Sequence, residues 1–457
     1  METKATLPQV RRVNIEFTKE DLRRLIVPLV IEQLLAITVG LLDSVMVSQV
    51  GEAAISAVSL VDTVNVLLVN AFAALATGGA VIAGQYLGRR EAEKAGHSGQ
   101  QLLLFMGEVS LFIMVLFYLG KGFVLGIVFG QVEPDVAAYA NTYYLIVESS
   151  IPFLALYSAG AALFRVMGNS RISMWVSLAM NVINAVGNAV LIFGFHCGVE
   201  GVAIPTLVSR LVAAAAMIVL LLRRPGLPLR IEKFTFHHDR YVVKHILRFG
   251  VPNGMESSMF QLGKILLLST VSVLGTASVA ANAIGNTVCT FQCVPGNALG
   301  LAIVTVVSRC VGAGNYEKAR YYAKKLMKSA YLFMDGAIVL ILALLPLIMR
   351  LYNVSDEAAT YARQIIWMHG IAASVLWPAS FTLPQALRAA GDTRFTMVVS
   401  TVSMWTLRVG LGILLGRYWG FGVLGIWMAM FADWMLRVSF FIPRFHGRKW
   451  ESMGIRE

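Results

Sequence analysis

Apolar runs of membrane-spanning length follow one another along the whole chain, separated by short polar breaks. A helix that crosses the hydrocarbon core needs about 20 apolar residues. Reading the runs between the breaks predicts twelve helices, near 24–49, 54–85, 97–120, 136–164, 171–195, 201–222, 241–273, 277–311, 318–348, 358–387, 394–416 and 422–443. Several exceed the thickness of a bilayer, which permits tilt or kinks. Within the first run, "PLVIEQLLAITVGLLDSVMV", two carboxylates interrupt the apolar pattern, Glu32 and Asp43. Eleven residues at about 100° each bring both acids to one helix face, some 16 Å apart along the axis. A shared face can turn away from lipid.

Composition supports the same class. The chain is 57% hydrophobic and 14% charged, with a mean hydropathy of +0.70, where a soluble protein carries about 25% charge. An all-α, polytopic membrane protein is therefore expected. The net charge of +12 raises the question of nucleic acid, but the basic residues sit between the apolar runs and point to the lipid bilayer instead. No cleavable signal peptide is expected, since the first 24 residues are polar and basic and the run that follows is too long for a signal core. Cys197, Cys289, Cys293 and Cys310 have no metal-ligand spacing and read as buried thiols.

Charge placement sets orientation. Thirty of the 38 Lys and Arg residues fall on one side of the predicted helices, against Lys121, Arg350, Arg363 and Arg417 on the other. The positive-inside rule makes the first side cytoplasmic. Both termini are then cytoplasmic, in a plasma membrane, which requires an even number of spans.

The chain also repeats. Shifted by 224 residues, Pro28 falls on Pro252, Glu32 on Glu256, Gly51 on Gly275, Gly88 on Gly312 and Gly201 on Gly425. At a shift of 223, "FRVMGNSRISMWVS" falls on "LRAAGDTRFTMVVS". Six helices were duplicated in the same orientation, and parallel repeats place a cavity at the interface of the halves. The predicted division is a cytoplasmic arm 1–23, an N-lobe 24–222 (helices 1–6), a connector 223–240, a C-lobe 241–443 (helices 7–12) and a cytoplasmic tail 444–457.

Charges that remain inside the helices are the functional candidates, because each is costly in lipid. Asp43 stands in "GLLDSVMV" with no base within four residues on its own helix. It reads as a titrating group or as an acceptor bridging helices. Glu32 and Glu256, each four residues after a proline, read as paired gate acids or as inherited braces. Asp433 and Arg437 suit an i,i+4 pair, and Arg210 calls for an acid partner. Asp62, Glu108, Glu148 and Asp335 are weaker candidates. In "NVINAVGN", Asn184 and Asn188 lie one turn apart on one face, and Thr206 follows in helix 6. Buried amides need partners, and a helix 1 carboxylate would supply one. Together these groups could hold a proton or a cation, or serve as polar helix packing.

These residues resemble the multidrug and toxic compound extrusion (MATE) family over nearly the whole chain. The likeness rests on "PLVIEQLLAITVGLLDSVMVSQVGEAAISAVSL", "GRREAEKAG", "NAVGNAVLIFGFHCGVEGVAIPT" and "ALRAAGDTRF", in order within the duplication. The resemblance implies two six-helix lobes and a cation site at Asp43, Asn184, Asn188 and Thr206, with Tyr143 as a cavity tyrosine. The chain departs from the family's branches in lacking an acid at Asn188, at Phe260 and near Trp377, so the resemblance centres coupling on Asp43.

The implied function is a cation-coupled antiporter, driven by H⁺ or Na⁺, that exports amphipathic and cationic small molecules. It needs no cofactor beyond the coupling ion, with Na⁺ a candidate at Asp43, and it is expected to work as a monomer. Met255, Glu256, Phe260, Gln261, Phe291 and Trp377, with Glu32, are expected to line the substrate cavity. Two rivals stand. A flippase of lipid-linked oligosaccharides would need basic cavity groups, for which only Lys264 and Arg408 qualify. A membrane-embedded enzyme lacks HExxH, a nucleophile elbow or metal-ligand spacing.

Overall fold

The computed structural model describes residues 15–128, 133–223, 226–229, 231, 236–352 and 354–455. Most of the predicted N-terminal arm and part of the connector lie outside the described residues. The described chain is helical, with no strands among the described residues. Its twelve long elements are α1 (Lys19–Ser48), α2 (Glu52–Gly88), α3 (Ala92–Leu119), α4 (Pro134–Glu148 continuing as Ile151–Val166), α5 (Ser170–Gly194) and α6 (Glu200–Arg223), followed by α7 (Arg240–Ser272), α8 (Thr276–Gly312), α9 (Tyr316–Leu351), α10 (Asp356–Ala389), α11 (Thr393–Tyr418) and α12 (Gly422–His446). Ten are long and apolar enough to cross a membrane, and the two parts of α4 make an eleventh span. α7 is long enough but more polar, with Asn253, Glu256, Gln261 and Lys264 along it.

Two departures from the sequence expectation have local causes. The fourth predicted helix is bent by 44°. Pro152 stands at the start of the second segment, and without an N–H it cannot bond the carbonyl four residues back. α1 begins earlier than its apolar run, because Thr18 and Asp21 form a capping box that satisfies the first free amides.

The lobes join at the terminus-bearing end, which holds the first and last described residues. Leu22, Leu25 and Leu29 of α1 are buried among α8, α9 and α10 of the other half, and Val242, Ile246 and Phe249 of α7 pack into the first half's core. The crossing of α2 and α8 at this end is backbone-close. A Cβ on Gly88 would come within 2.1 Å of the Arg309 carbonyl oxygen, and one on Gly312 within 1.9 Å of that of Gln85. Only glycine fits at these repeat-related positions. The tail adds a strap. Trp450 is buried against Phe445 and Ile455 enters the first half's core, where its amide donates to Gln85 Oε1 at 2.9 Å. At the opposite end, each half has its own core.

Candidate functional site

Among the described residues, two large cavities lie between the halves. One of 810 Å³ reaches toward the terminus-bearing end, and one of 470 Å³ lies in the far half. Asp43 lines the larger. Asn188 Nδ2 donates to Asp43 Oδ1 at 2.9 Å. Turned so that its polar atoms meet complementary partners, the Asn184 amide nitrogen lies 2.9 and 3.2 Å from the two Asp43 oxygens, and its carbonyl oxygen accepts from Thr206 Oγ1 at 3.0 Å. The i,i+4 spacing on α5 aims both amides at α1. Gly187 lets α6 approach, since a Cβ there would stand 2.7 Å from that of Pro205. The four residues expected to form a cation site thus meet in space. Asn188 Oδ1 is buried beside them with no hydrogen-bond partner among the described residues. A buried acceptor without a donor is costly, so a proton or cation bound at Asp43 would meet a carboxylate and a spare amide oxygen.

Farther along the first half, Asp62 lines the smaller cavity and accepts from the Tyr143 hydroxyl at 3.1 Å. Tyr143 itself is buried and lines neither cavity, contrary to its expectation as a cavity tyrosine, and its hydroxyl is engaged by Asp62. Arg210 donates to Ser150 Oγ at 2.7 Å and Asn65 Oδ1 at 3.1 Å, and forms no ion pair among the described residues. Glu148 is fully buried, and neither of its oxygens has a hydrogen-bond partner among the described residues.

Glu32 and Glu256 face one another across the larger cavity, each in an ion pair with the arginine the repeat provides. Arg165 Nη1 lies 3.2 Å from Glu32 Oε1, and Arg388 Nη2 lies 2.5 Å from Glu256 Oε1. Sequence reading paired these acids with each other by symmetry and missed both arginines. The repeat held the signal, since Arg165 and Arg388 align at a shift of 223.

The second half differs. Lys264 and Arg408 line the smaller cavity and Arg437 the larger. Arg437 Nε donates to Asp433 Oδ1 at 2.8 Å, the predicted i,i+4 pair, and Ser403 Oγ donates to the same oxygen at 2.5 Å. Arg408 stands 4.0 Å from Asp433 Oδ2. Lys264 has no ion pair or hydrogen bond among the described residues and is open to the cavity. Both guanidinium groups lie over the Phe260 ring, Arg408 at 5.1 Å and Arg437 at 5.8 Å from its centroid. That contact gives two like charges a shared π face.

Of the remaining expected cavity residues, Phe260 lines the larger cavity and Gln261 the smaller. Trp377 is buried and stacks behind the cavity-lining Phe381. Met255 and Phe291 line neither cavity, and Met255 is exposed on the outside of α7. Helical position alone did not separate their faces from that of Phe260. Glu108 lies outside this region, 2.9 Å from His238. Asp335 also lines neither cavity. Among the described residues, no three His, Cys, Asp or Glu side chains are grouped to hold a metal.

Comparison with known proteins gives a consistent picture. The MatE family model matches residues 28–190 and again 252–414, two segments at the offset of the internal repeat. The chain is 26% identical over 441 residues to the "Uncharacterized transporter YisQ" of Bacillus subtilis, covering 94% of each. It is 24% identical to the "Probable multidrug resistance protein NorM" of Thermotoga maritima, covering 99% of this chain and 96% of that one. Among solved structures, the "outward-facing conformation of a multidrug resistance MATE family transporter" superposes with a TM-score of 0.86 at 19% identity, over 94% of this chain and 98% of that one.

Proposed function

This chain belongs to the MatE family of membrane transporters, and we propose that it is a cation-coupled antiporter exporting amphipathic molecules with a cationic group. The observation that carries the coupling is the clasp of Asp43 by Asn184 and Asn188, with the Asn188 oxygen left unpartnered beside it. A proton or Na⁺ at this carboxylate removes the negative charge that a cationic substrate in the adjoining cavity would feel. The two then compete, and each biases the state that the other leaves. Inward movement of the ion supplies about 2.3 kcal/mol per charge per 100 mV.

The packing supports alternating access. Cores shared between the lobes close the terminus-bearing end, which charge placement makes cytoplasmic, while separate cores leave the far end free to part. The same cavities would open to the cytoplasm when the shared cores separate. The chain acts as a monomer in the plasma membrane, since both cavities are built from one copy.

Dye accumulation in inside-out membrane vesicles tests this reading, with the proton and Na⁺ gradients collapsed separately. Collapse of the coupling gradient alone should stop accumulation. Asp43→Asn, which keeps size and loses charge, should reduce accumulation to background at normal expression. Gradient-driven accumulation by that variant would move the coupling site elsewhere.

A further inference from the structure

We infer that the smaller cavity is an anion-binding subsite, so that the exported molecules carry an acidic group as well as an apolar body and a cationic centre. The inference rests on the exporter reading and adds the substrate's second charge. Lys264 and Arg408 both line this cavity, and the ionisable residue facing them from the other lobe is Asp62. Lys264 Nζ has no ion-pair or hydrogen-bond partner among the described residues. Arg408 reaches only 4.0 Å from an oxygen of Asp433, whose other oxygen already accepts from Arg437 and Ser403. Lys264, Arg408 and Arg437 thus stand against Asp433, which lies behind the wall, and Asp62 on the opposite lobe, so positive charge is left in excess on the second lobe's side of the cavity.

The rest of the lining suits an amphiphile. Asn282, Asn286 and Thr290 offer polar atoms along one side, and Trp427, Met430 and Leu268 offer apolar contact. A volume of 470 Å³ falls in the range of small-molecule pockets, about 300–1,000 Å³. A carboxylate, sulfonate or phosphate between Lys264 and Arg408 would be held by charge-assisted bonds, while a cationic group on the same molecule would face Asp62. The shared chemistry is an anionic headgroup on an apolar body. A soluble amphiphile and an anionic phospholipid both supply it.

Equilibrium binding to the purified, full-length protein separates the possibilities. In phosphatidylcholine nanodiscs, anilinonaphthalene sulfonate is titrated and read by energy transfer from tryptophan, with Trp427 in the cavity wall and empty discs as the blank. Lys264→Gln should weaken binding about tenfold, the loss of roughly 1.4 kcal/mol. Lys264→Glu should weaken it further and tighten tetraphenylphosphonium, and Lys264→Arg should retain wild-type affinity for the sulfonate. Lys264 has no partner to lose, so these variants should unfold at the wild-type temperature. Phosphatidylglycerol discs then identify the source. Competition that weakens the sulfonate in wild type but not in Lys264→Gln assigns the site to a lipid headgroup, and unchanged affinity assigns it to soluble amphiphiles. Equal sulfonate affinity in wild type and Lys264→Gln overturns the subsite, even if dye export is intact. Absent export with Lys264-dependent binding would instead count against the exporter reading alone.

Discussion

The two lobes descend from one six-helix unit yet present opposite charge to the cavities between them. Each keeps a glutamate–arginine pair, Glu32 with Arg165 and Glu256 with Arg388. Beyond those pairs, the first lobe lines the cavities with Asp43, Asp62 and Arg210, and the second with Lys264, Arg408 and Arg437. The pairs lie toward the end where the lobes join, and divergence lies deeper in the membrane. Duplication thus preserved a self-neutralising element in both halves and left the unbalanced positions free to change sign. A pair that cancels its own charge imposes little on its surroundings, whereas a lone charge commits the surroundings to one ligand class.

The largest expected effect comes from removing the second lobe's compensating acid. Asp433 is fully buried and holds Arg437 directly and Arg408 at longer range. Asp433→Asn leaves two guanidinium groups that cannot shed their protons in a protein. Breaking such a buried pair costs about 3–5 kcal/mol, which thermal unfolding in detergent should detect as a large fall in midpoint. A midpoint near wild type would mean that the cavities, rather than Asp433, screen the arginines.

The first lobe should tolerate the mirror experiment better. Arg210→Met removes the cavity-lining cation of this lobe that has no ion pair among the described residues, and leaves the Ser150 and Asn65 side chains without their donor. The groups left behind are a neutral hydroxyl and a neutral amide, not a buried ion. The expected cost is about 1–3 kcal/mol, the penalty of unsatisfied polar groups. A loss equal to that of Asp433→Asn would break the contrast between the lobes.

How much of this was legible in sequence follows from what each contact requires. The Asp43 clasp uses regular helices, so i,i+4 spacing on α5 and a following hydroxyl on α6 announced it. The Asp433–Arg437 pair was legible for the same reason. The Glu–Arg pairs join positions 133 and 132 residues apart, where local periodicity carries no information and only the repeat could have revealed them. Arg210 was expected to have an acid partner, but it is held by a serine and an amide, because α2 and α4 each offer it a neutral oxygen, on Asn65 and Ser150. The bend in α4 was missed because an apolar run reads as continuous through Ser149, Ser150 and Pro152. The polarity of α7 hid no strand or loop: a helix facing a cavity need not satisfy a lipid scale.

The smallest effect tests whether the paired acids are equivalent. Glu32 accepts from Ser173 Oγ at 2.8 Å as well as pairing with Arg165, whereas Glu256 Oε2 has no hydrogen-bond partner among the described residues. The residue related to Ser173 by the 223-residue shift is Thr396, whose hydroxyl donates to the Thr393 carbonyl instead. Both carboxylates sit at similar depth, with 9% and 10% of the side chain exposed, so the arginine contributes comparably in each lobe. Glu32→Gln should therefore lower stability more than Glu256→Gln by the extra bond to a charged acceptor, about 1.5 kcal/mol. A double-mutant cycle isolates that bond: in a Ser173→Ala background the two glutamine substitutions should cost the same. A difference that survives Ser173→Ala would place the asymmetry in the arginines, and the floor of the cavity would then be no more symmetric than its walls.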